Sequence, residues 1–309
     1  MERLPGGLWP VMISVFKPNN NIDFDGVCRI TDMYLDAGAN GMFANCLSSE
    51  MYQLTKEERL ELTETVVNRC KGKVPVVATG SFYLHGSENA DFIKEIYDLG
   101  VEAVILISSI LAEPEESDEI LKRRIEEIMD ETGDIPLGLY ECPVPYKRVI
   151  SPDMMGWLAE SGRFYYHKDT SCDNGAIKRK LDKIVGSNYQ LYNADTPSAL
   201  ESLRDGGVGI SPISGNFYPE LYGHYIKLYN EDNTEALERL NTKLTVMDKI
   251  THDFYPWSAK LFLEKRGMDI CTNTRIPMSK MHVKDRNILD ALYKMFQEIS
   301  DEFGIKSVI

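Results

Sequence analysis

Two polar side chains at the ends of neighbouring predicted strands could carry out chemistry on a carbonyl group. Lys168 lies near the carboxyl end of a predicted strand over residues 163–170, and Tyr140 closes the preceding strand, over 135–141. Loss of hydration around a lysine favours the neutral amine, and a neutral amine attacks a ketone to form a Schiff base. A phenol at a similar height can carry a proton between the nucleophile, the carbinolamine and the substrate oxygen. The pair therefore predicts covalent catalysis through Lys168.

A structural interpretation of each residue stays open at this point. Lys168 could pair with Asp169 or Glu141 and have no catalytic role. Tyr140 could be a half-buried tyrosine at a strand end, which is an ordinary place for this residue. The occurrence of both side chains at adjacent strand ends is more informative than either one alone.

A third set of polar groups follows the second predicted strand, in the segment Cys46-Leu47-Ser48-Ser49-Glu50. Two consecutive hydroxyl residues in a turn could offer hydroxyl and backbone N–H groups to a carboxylate. The alternative is a plain capping turn without a ligand. Position alone does not decide between these two roles for Ser48 and Ser49.

The elements that must position these residues form an alternating series of strands and helices. Short apolar segments alternate with longer amphipathic ones, and continuous apolar runs are typical of parallel strands covered by helices. Eight such units favour a closed α/β fold, a (β/α)8 TIM barrel, over an open doubly wound sheet. No G-x-G-x-x-G follows a strand, which disfavours a dinucleotide-binding fold. The predicted strands cover residues 8–16, 38–46, 73–80, 101–109, 135–141, 163–170, 189–195 and 206–214.

Local signals predict where several helices begin and end. The segment 55–58 reads as a capping box, and Ser151 and Thr196 each place a capping hydroxyl before a proline. A left-handed glycine often follows the end of a helix. The glycines predicted to do so are Gly38, Gly100 and Gly162.

The strand pattern stops near residue 217, and four segments with helical spacing follow it. The first, 218–230, would complete the barrel. The segments 233–250, 257–267 and 285–303 would form a C-terminal helical extension that packs on the barrel. We therefore predict a barrel catalytic domain over residues 1–232 and a helical extension over residues 233–309.

Composition excludes several classes of function. The 309 residues include 34 Lys and Arg against 48 Asp and Glu, and this net charge of −14 disfavours binding to nucleic acid. The longest apolar run, 103–107, is too short to cross a membrane, and the N-terminal segment lacks the pattern of a signal peptide. The cysteines form no C-x-x-C pair, and the histidines form no metal-binding motif. We predict a cytoplasmic protein with no metal, no cofactor, no nucleic acid and no membrane partner.

These residues together resemble the dihydrodipicolinate synthase and N-acetylneuraminate lyase family of Schiff-base aldolases and dehydratases. The segment Tyr140-Glu141-Cys142-Pro143 is similar to its Y-x-x-P motif, and Lys168-Asp169 is similar to its lysine motif. The similarity covers essentially the whole barrel. The other similar segments are 7–16, 22–23, 38–50, 54–59, 74–80, Asp195, 206–211, Asn216 and Pro219.

The resemblance implies a class I lyase in which Lys168 forms a Schiff base with pyruvate or another 2-oxo acid and Tyr140 shuttles protons. It implies that Ser48, with the amides of Ser48 and Ser49, holds the substrate's carboxylate. Asp195 and Ser211 are the substrate-binding candidates at the ends of strands seven and eight. The reaction would be aldol cleavage, aldol condensation or dehydration of a sugar-derived acid, since the fold does not fix the substrate. Family members are commonly homo-oligomers, so a tetramer or a dimer is expected.

The sequence departs from the family's pattern at positions that bear on the substrate. Leu47 replaces the first hydroxyl of the G-[ST]-T-G-E turn, and the tyrosine that a neighbouring subunit donates after strand four is missing from 108–114. Pro145 stands where synthases carry an arginine. Lys147 and Arg148, close by, could bind a substrate carboxylate or be solvated at a helix start.

One further departure concerns sugar binding. Sialic-acid lyases carry an Asp-Glu pair after strand seven, and this chain has Asp195-Thr196. The losses argue against a true dihydrodipicolinate synthase and, less strongly, against a sialic-acid lyase. A divergent lyase is the prediction, and the alternatives are the synthase itself or a non-catalytic pseudoenzyme that binds a 2-oxo acid.

Overall fold

The computed structural model describes residues 2–309, and its contacts divide the chain into two compact units. The first unit contains the residues before Gly7 and the segment Lys71–Ser211. The second unit contains Gly7–Cys70 and Pro212–Ile309. Each unit is described separately below.

Within residues 2–309, eight strands alternate along the chain with the first eight of eleven helices. The strands are β1 Gly7–Leu8, β2 Met42–Ala44, β3 Val76–Thr79, β4 Ala103–Ile107, β5 Leu137–Tyr140, β6 Phe164–Asp169, β7 Gln190–Asn193 and β8 Gly209–Ile210. The helices are α1 Phe24–Asp36, α2 Lys56–Cys70, α3 Gly86–Asp98, α4 Asp118–Glu131, α5 Pro152–Glu160, α6 Asn174–Ile184, α7 Thr196–Arg204, α8 Pro219–Asn230, α9 Thr234–Thr251, α10 Trp257–Arg266 and α11 Val283–Phe303.

The first unit is built on parallel pairing of successive strands from β3 to β8. All five residues of β4, with the sequence AVILI, are buried, which is the pattern of a strand covered on both faces. The register places Tyr140 of β5 opposite Lys168 of β6, and Lys168 opposite Tyr192 of β7. The carboxyl ends of three neighbouring strands therefore lie level with one another.

The second unit contains β1, β2 and six of the helices. The chain after β1 continues beside β2 through a parallel bridge from Val11 to Phe43. Phe262 of α10 packs with its ring centroid 5.4–6.1 Å from those of Phe217, Tyr218 and Phe296. This aromatic cluster joins α10 and α11 to the start of α8.

The predicted strands are confirmed in order and type, but three of them are much shorter than predicted. The segment 38–46 contributes only Met42–Ala44. The segment 8–16 contributes only Leu8, because β1 is Gly7–Leu8, and the segment 206–214 contributes only Gly209–Ile210. Pro10 and Pro212 follow these strands closely, and proline has no N–H group to donate to a neighbouring strand. The strands predicted from these buried apolar runs are therefore longer than the hydrogen-bonded strands β1 and β8.

The predicted helix signals are confirmed except at Thr196. The Thr55 N–H group donates to Glu58 at 3.0 Å, and the Glu58 N–H group donates to Thr55 at 3.2 Å, which completes the capping box. Ser151 accepts from the Met154 N–H group at 3.2 Å. The predicted cap at Thr196 is wrong, because Asp195 is the N-cap and α7 begins at Thr196. The three glycines predicted to end helices, Gly38, Gly100 and Gly162, all have positive φ.

The C-terminal segments form the predicted helices α9, α10 and α11. The predicted domain boundary, between residues 232 and 233, falls in the turn between α8 and α9 and stays a prediction. In the described part of the chain, none of the helices combines the length and the apolar character needed to span a lipid bilayer.

Candidate active site

Strands β5 and β6 bring Tyr140 and Lys168 together in the first unit. The Lys168 Nζ atom lies 4.7 Å from the centroid of the Tyr140 ring. Both residues are buried, with exposed fractions of 2% for Lys168 and 4% for Tyr140. The predicted juxtaposition is therefore present, and a carbonyl compound bound at the amine would also lie beside the phenol.

The carboxylates that could have paired with Lys168 are paired with another lysine. Lys180 of α6 donates to Glu141 and, at 2.5 Å, to Asp169. All three side chains are almost completely inaccessible to solvent. Because successive residues of a strand point to opposite faces, Asp169 faces α6 while Lys168 faces away from it. Lys180 therefore supplies the positive charge beside Glu141 and Asp169 that the structural interpretation gave to Lys168.

Glu141 is the centre of this buried charge cluster. It accepts from the N–H groups of Ile150 and Thr170, each at 2.9 Å, and lies 3.3 Å from His167 Nε2. Burial alone would raise the pKa of Glu141, but the adjacent His167 ring and the Lys180 charge together hold that pKa well below its usual range. Burial opposes the ammonium form of Lys180, and the two carboxylates nevertheless raise the pKa of Lys180. The cluster thus fixes the chain after β5 and β6.

Glu141, His167 and Asp169 also form the kind of cluster that could hold a metal ion. The ammonium group of Lys180 donates to one oxygen of each carboxylate. It therefore occupies the position that a cation would take between Glu141 and Asp169. His167 Nδ1 lies 2.9 Å from the Tyr189 hydroxyl, which adds a further protein partner.

The two basic residues after β5 have different surroundings. Arg148 forms an ion pair with Asp118 at 3.0 Å and donates to the Glu116 carbonyl at 2.9 Å. It therefore anchors this loop to the start of α4. Lys147 is exposed and donates to the Thr170 carbonyl at 2.7 Å, just beyond the end of β6. Of the pair, Lys147 is the one with an accessible amine near the candidate site.

The predicted substrate-binding residues of strands seven and eight are both engaged in local structure. Asp195 accepts from the Ser198 N–H group at 3.1 Å and from the Ser198 hydroxyl at 2.6 Å. The buried Ser211 hydroxyl lies 3.3 Å from the Tyr166 hydroxyl, and its N–H group donates to the Asn193 carbonyl at 2.7 Å. Their roles toward a substrate remain those that the resemblance implies.

Ser48 and Ser49 lie in the second unit, in a short 3-10 helix after β2. The Ser49 hydroxyl accepts from the Cys46 N–H group at 3.1 Å and donates to the Met12 carbonyl at 2.7 Å. The Ser49 N–H group donates to the Cys46 carbonyl at 3.0 Å. Ser49 therefore caps the turn. The buried Ser48 hydroxyl instead forms a hydrogen bond with the hydroxyl of Tyr255, which follows α9.

A second buried lysine in the second unit was not identified from the sequence. Lys260 of α10 donates to Glu50 at 2.7 Å and to the Asn273 carbonyl at 2.9 Å. Glu50 also accepts from the N–H groups of Arg275 and Ile276, at 2.6 and 2.9 Å. Burial lowers the pKa of Lys260, although Glu50 opposes that shift. This contact fastens the irregular segment between α10 and α11.

Lys180 and Tyr255 were not identified from the sequence, and only Lys180 carries a sequence signal of its role. Lys180 occupies a core position on α6, whose buried residues are Ile177, Lys180, Leu181 and Ile184. A lysine inside an apolar stripe of this spacing signals a buried anionic partner. Tyr255 lies between two helices, in a segment without periodicity, and carries no comparable signal.

The chain matches a known protein family along most of its length. Residues 4–295 match the model of a family described as the dihydrodipicolinate synthetase family. A 4-hydroxy-tetrahydrodipicolinate synthase from Jannaschia sp. (strain CCS1) is 28% identical over 215 residues, which cover 70% of this chain and 72% of that protein. The synthase of that name from Methanospirillum hungatei is 29% identical over 216 residues, covering 69% of this chain and 72% of the relative.

Solved structures resemble the chain over nearly its whole length. A dihydrodipicolinate synthase from Bacillus anthracis has a TM-score of 0.85 at 22% identity, covering 95% of this chain and 99% of that one. A prophage protein of the same family from E. coli K12, solved in complex with pyruvate, has a TM-score of 0.82 at 19% identity, covering 96% and 98%. A monomeric dihydrodipicolinate synthase variant has a TM-score of 0.86 at 19% identity, covering 95% and 97%. At these identities the likeness shows the fold, a (β/α)8 barrel with C-terminal helices, and it confirms the predicted fold class.

Proposed function

The chain belongs to the dihydrodipicolinate synthetase family of Schiff-base-forming lyases, and we propose that it acts on pyruvate or a related 2-oxo acid. The observation that carries the proposal is the register of Tyr140 with Lys168, with the lysine amine 4.7 Å from the centre of the tyrosine ring. Both side chains are buried, and Lys180 rather than Lys168 neutralises the neighbouring carboxylates. This arrangement supports a nucleophile with a proton shuttle beside it.

The chemistry begins with attack of the Lys168 amine on the ketone carbon of the 2-oxo acid. The carbinolamine that forms loses water to give a protonated imine, and Tyr140 supplies the proton that the leaving oxygen needs. The imine withdraws electrons, so loss of a proton or cleavage of a bond at the adjacent carbon gives an enamine. The enamine carbon then takes up a proton or attacks the carbonyl carbon of an aldehyde, which restores an imine. Addition of water to this imine returns the Lys168 amine and releases a 2-oxo acid.

The substrate's carboxylate needs hydrogen-bond donors of its own. The resemblance assigns this role to Ser48, with the amides of Ser48 and Ser49. The Ser49 hydroxyl is engaged by the Cys46 N–H group and the Met12 carbonyl, which supports Ser48 as the hydroxyl of the pair that serves a ligand. Asp195 and Ser211 are proposed as further substrate contacts through their places at the ends of β7 and β8.

Two candidates for the reaction follow from different observations. Leu47, Pro145 and the segment 108–114 lack synthase-specific groups, which favours aldol cleavage, condensation or dehydration of a sugar-derived acid. The relatives from Jannaschia and Methanospirillum carry the name of the synthase itself, which favours synthesis of 4-hydroxy-tetrahydrodipicolinate. A pseudoenzyme that binds a 2-oxo acid without turnover is the third outcome.

A turnover assay distinguishes these candidates. The protein is incubated with pyruvate and, in turn, amino-acid-derived and sugar-derived aldehydes, and the product is tested for 4-hydroxy-tetrahydrodipicolinate. In the reverse direction it is incubated with deoxy sugar acids. We expect turnover with a sugar-derived partner and complete loss of it in Lys168→Ala. Lys178→Ala, which changes an exposed lysine of α6, serves as the matched control and should retain wild-type activity. Turnover that survives in Lys168→Ala would reject the Schiff-base mechanism.

A further inference from the structure

A directed series of hydrogen bonds leads to Ser48 within the second unit. Tyr34 lies on α1, Asn216 lies just before α8, and Tyr255 lies between α9 and α10. The Tyr34 hydroxyl donates to Asn216 Oδ1, and Asn216 Nδ2 lies 2.7 Å from the Tyr255 hydroxyl. The Tyr255 hydroxyl in turn forms a hydrogen bond with that of Ser48. None of Tyr34, Asn216 and Tyr255 has a role in the chemistry described above.

The orientation of the Asn216 amide is fixed by a backbone group. Asn216 Nδ2 also donates to the Val11 carbonyl at 2.9 Å. A carbonyl oxygen can only accept, so the nitrogen must lie on this side of the amide. Its two hydrogens are therefore shared between the Val11 carbonyl and the Tyr255 hydroxyl. It follows that Tyr255 accepts a hydrogen bond from Asn216.

The directions of the hydrogen bonds made by Tyr255 and Ser48 are assigned from the single proton that each hydroxyl can donate. The Tyr255 oxygen already accepts the Asn216 N–H group, and the proton of a buried phenol needs an acceptor of its own, so we assign that proton to the Ser48 oxygen. The Ser48 oxygen then accepts from Tyr255, and the Ser48 proton points to a further acceptor. A hydroxyl with a single proton, held in this direction, is suited to an oxygen that carries negative charge.

We propose that Tyr255, oriented by Asn216, holds the Ser48 hydroxyl as a hydrogen-bond donor to the carboxylate of the substrate. Tyr255 is a positioning residue in this account, and Ser48 is the residue that touches the ligand. The inference rests on the proposed function, because that function supplies the carboxylate. It explains how one hydroxyl can serve where Leu47 has replaced the other hydroxyl of the family's turn.

The surroundings of Tyr255 support this direction of donation. Burial raises the pKa of the Tyr255 phenol well above its usual value, so the group keeps its proton near neutral pH. Ser48 itself is buried, with an exposed fraction of 4%. A buried hydroxyl that accepts from a neutral phenol has little freedom to rotate away from its acceptor.

The test compares Tyr255→Phe with Tyr225→Phe, which removes a tyrosine hydroxyl that donates to Asn241 at 3.1 Å in the same unit. The rate of borohydride trapping is measured against the concentration of pyruvate and of methyl pyruvate, whose ester carries no charge. For Tyr255→Phe we expect the half-saturating pyruvate concentration to rise about five- to tenfold, with the limiting trapping rate unchanged. With methyl pyruvate, the half-saturating concentration for Tyr255→Phe should rise about threefold at most, since hydrogen bonds to neutral acceptors are weaker. Tyr225→Phe should match the wild type with both compounds.

A double-mutant cycle separates this role from a general loss of packing. If Tyr255 acts through Ser48, then adding Tyr255→Phe to Ser48→Ala should cause no further rise in the half-saturating concentration. Equal losses with pyruvate and methyl pyruvate, or additive losses in the double variant, would overturn the proposal. Absence of trapping in the wild type would instead count against the proposed function, so the two failures are distinguishable.

Discussion

The Lys168 amine lies against the face of the Tyr140 ring, and the two residues are opposite each other across the β5–β6 ladder. The hydroxyl of Tyr140 is thereby held at the end of a rigid ring, close to any carbinolamine formed on the amine. A positioned proton donor contributes about 10²- to 10⁴-fold to such a step. In the proposed mechanism, the Tyr140 phenol sets the rate at which the imine forms, and the Lys168 amine is required for it to form at all.

Replacing Tyr140 by Phe should slow imine formation by about 10²- to 10⁴-fold, since only the proton-carrying hydroxyl is removed. The measurement is the rate of borohydride trapping with saturating pyruvate, combined with the urea midpoint to check the fold. Tyr225→Phe, which removes the hydroxyl of a buried tyrosine of α8, is the control and should trap at the wild-type rate. Trapping by Tyr140→Phe as fast as by the wild type would contradict the assigned role.

At the scale of the element, α6 holds the ends of β5 and β6 through one buried lysine. Removing one partner of a buried ion pair leaves an uncompensated charge, which costs about 3–5 kcal/mol. We expect this loss for Lys180→Met and a much smaller loss for Lys178→Met, because Lys178 pairs with Asp205 at the surface. Urea unfolding of the two variants measures the difference. Similar losses in both would show that the buried cluster does not hold this region together.

The same cluster predicts how stability depends on pH. The pKa of Glu141 is lowered in the fold, so its contribution is complete above the unfolded value of about 4.5 and is lost as the pH falls toward about 2. The difference in unfolding free energy between the wild type and Glu141→Gln should therefore be largest near neutral pH and shrink below about pH 4.5. Urea midpoints measured from neutral to acidic pH test this expectation. A difference in unfolding free energy that stays constant or grows on acidification would contradict the lowered pKa of Glu141.

Local sequence patterns predict which residues are buried, but they do not predict contacts between residues that are far apart in the chain. Periodicity correctly predicted the order of strands and helices, and the capping box at Thr55 formed as predicted. Lys168 and Tyr140 could be found because parallel strands place their carboxyl ends together. The Tyr255–Ser48 and Lys260–Glu50 contacts join residues about 200 positions apart, so no local spacing encodes them. The prolines after β1 and β8 shortened strands whose hydrophobicity suggested longer ones.

For the whole molecule, the segment 108–114 has no tyrosine to lend to a neighbouring subunit. We therefore expect each subunit to form the imine without help from another, whatever the oligomeric state. Specific trapping activity should stay constant as the protein is diluted from micromolar to nanomolar concentration, while mass photometry follows the oligomer. Activity that falls as subunits dissociate, and returns on concentration, would mean that a second subunit completes the site.

The most direct test of the central claim is borohydride reduction in the presence of pyruvate, followed by peptide mass spectrometry. Imine formation loses water and reduction adds two hydrogens, so one adduct of about 72 Da is expected per chain. The account predicts that the adduct lies on Lys168 and is absent from Lys168→Ala. An adduct on Lys147, Lys180 or Lys260 instead, or none on any lysine with pyruvate and larger 2-oxo acids, would contradict it.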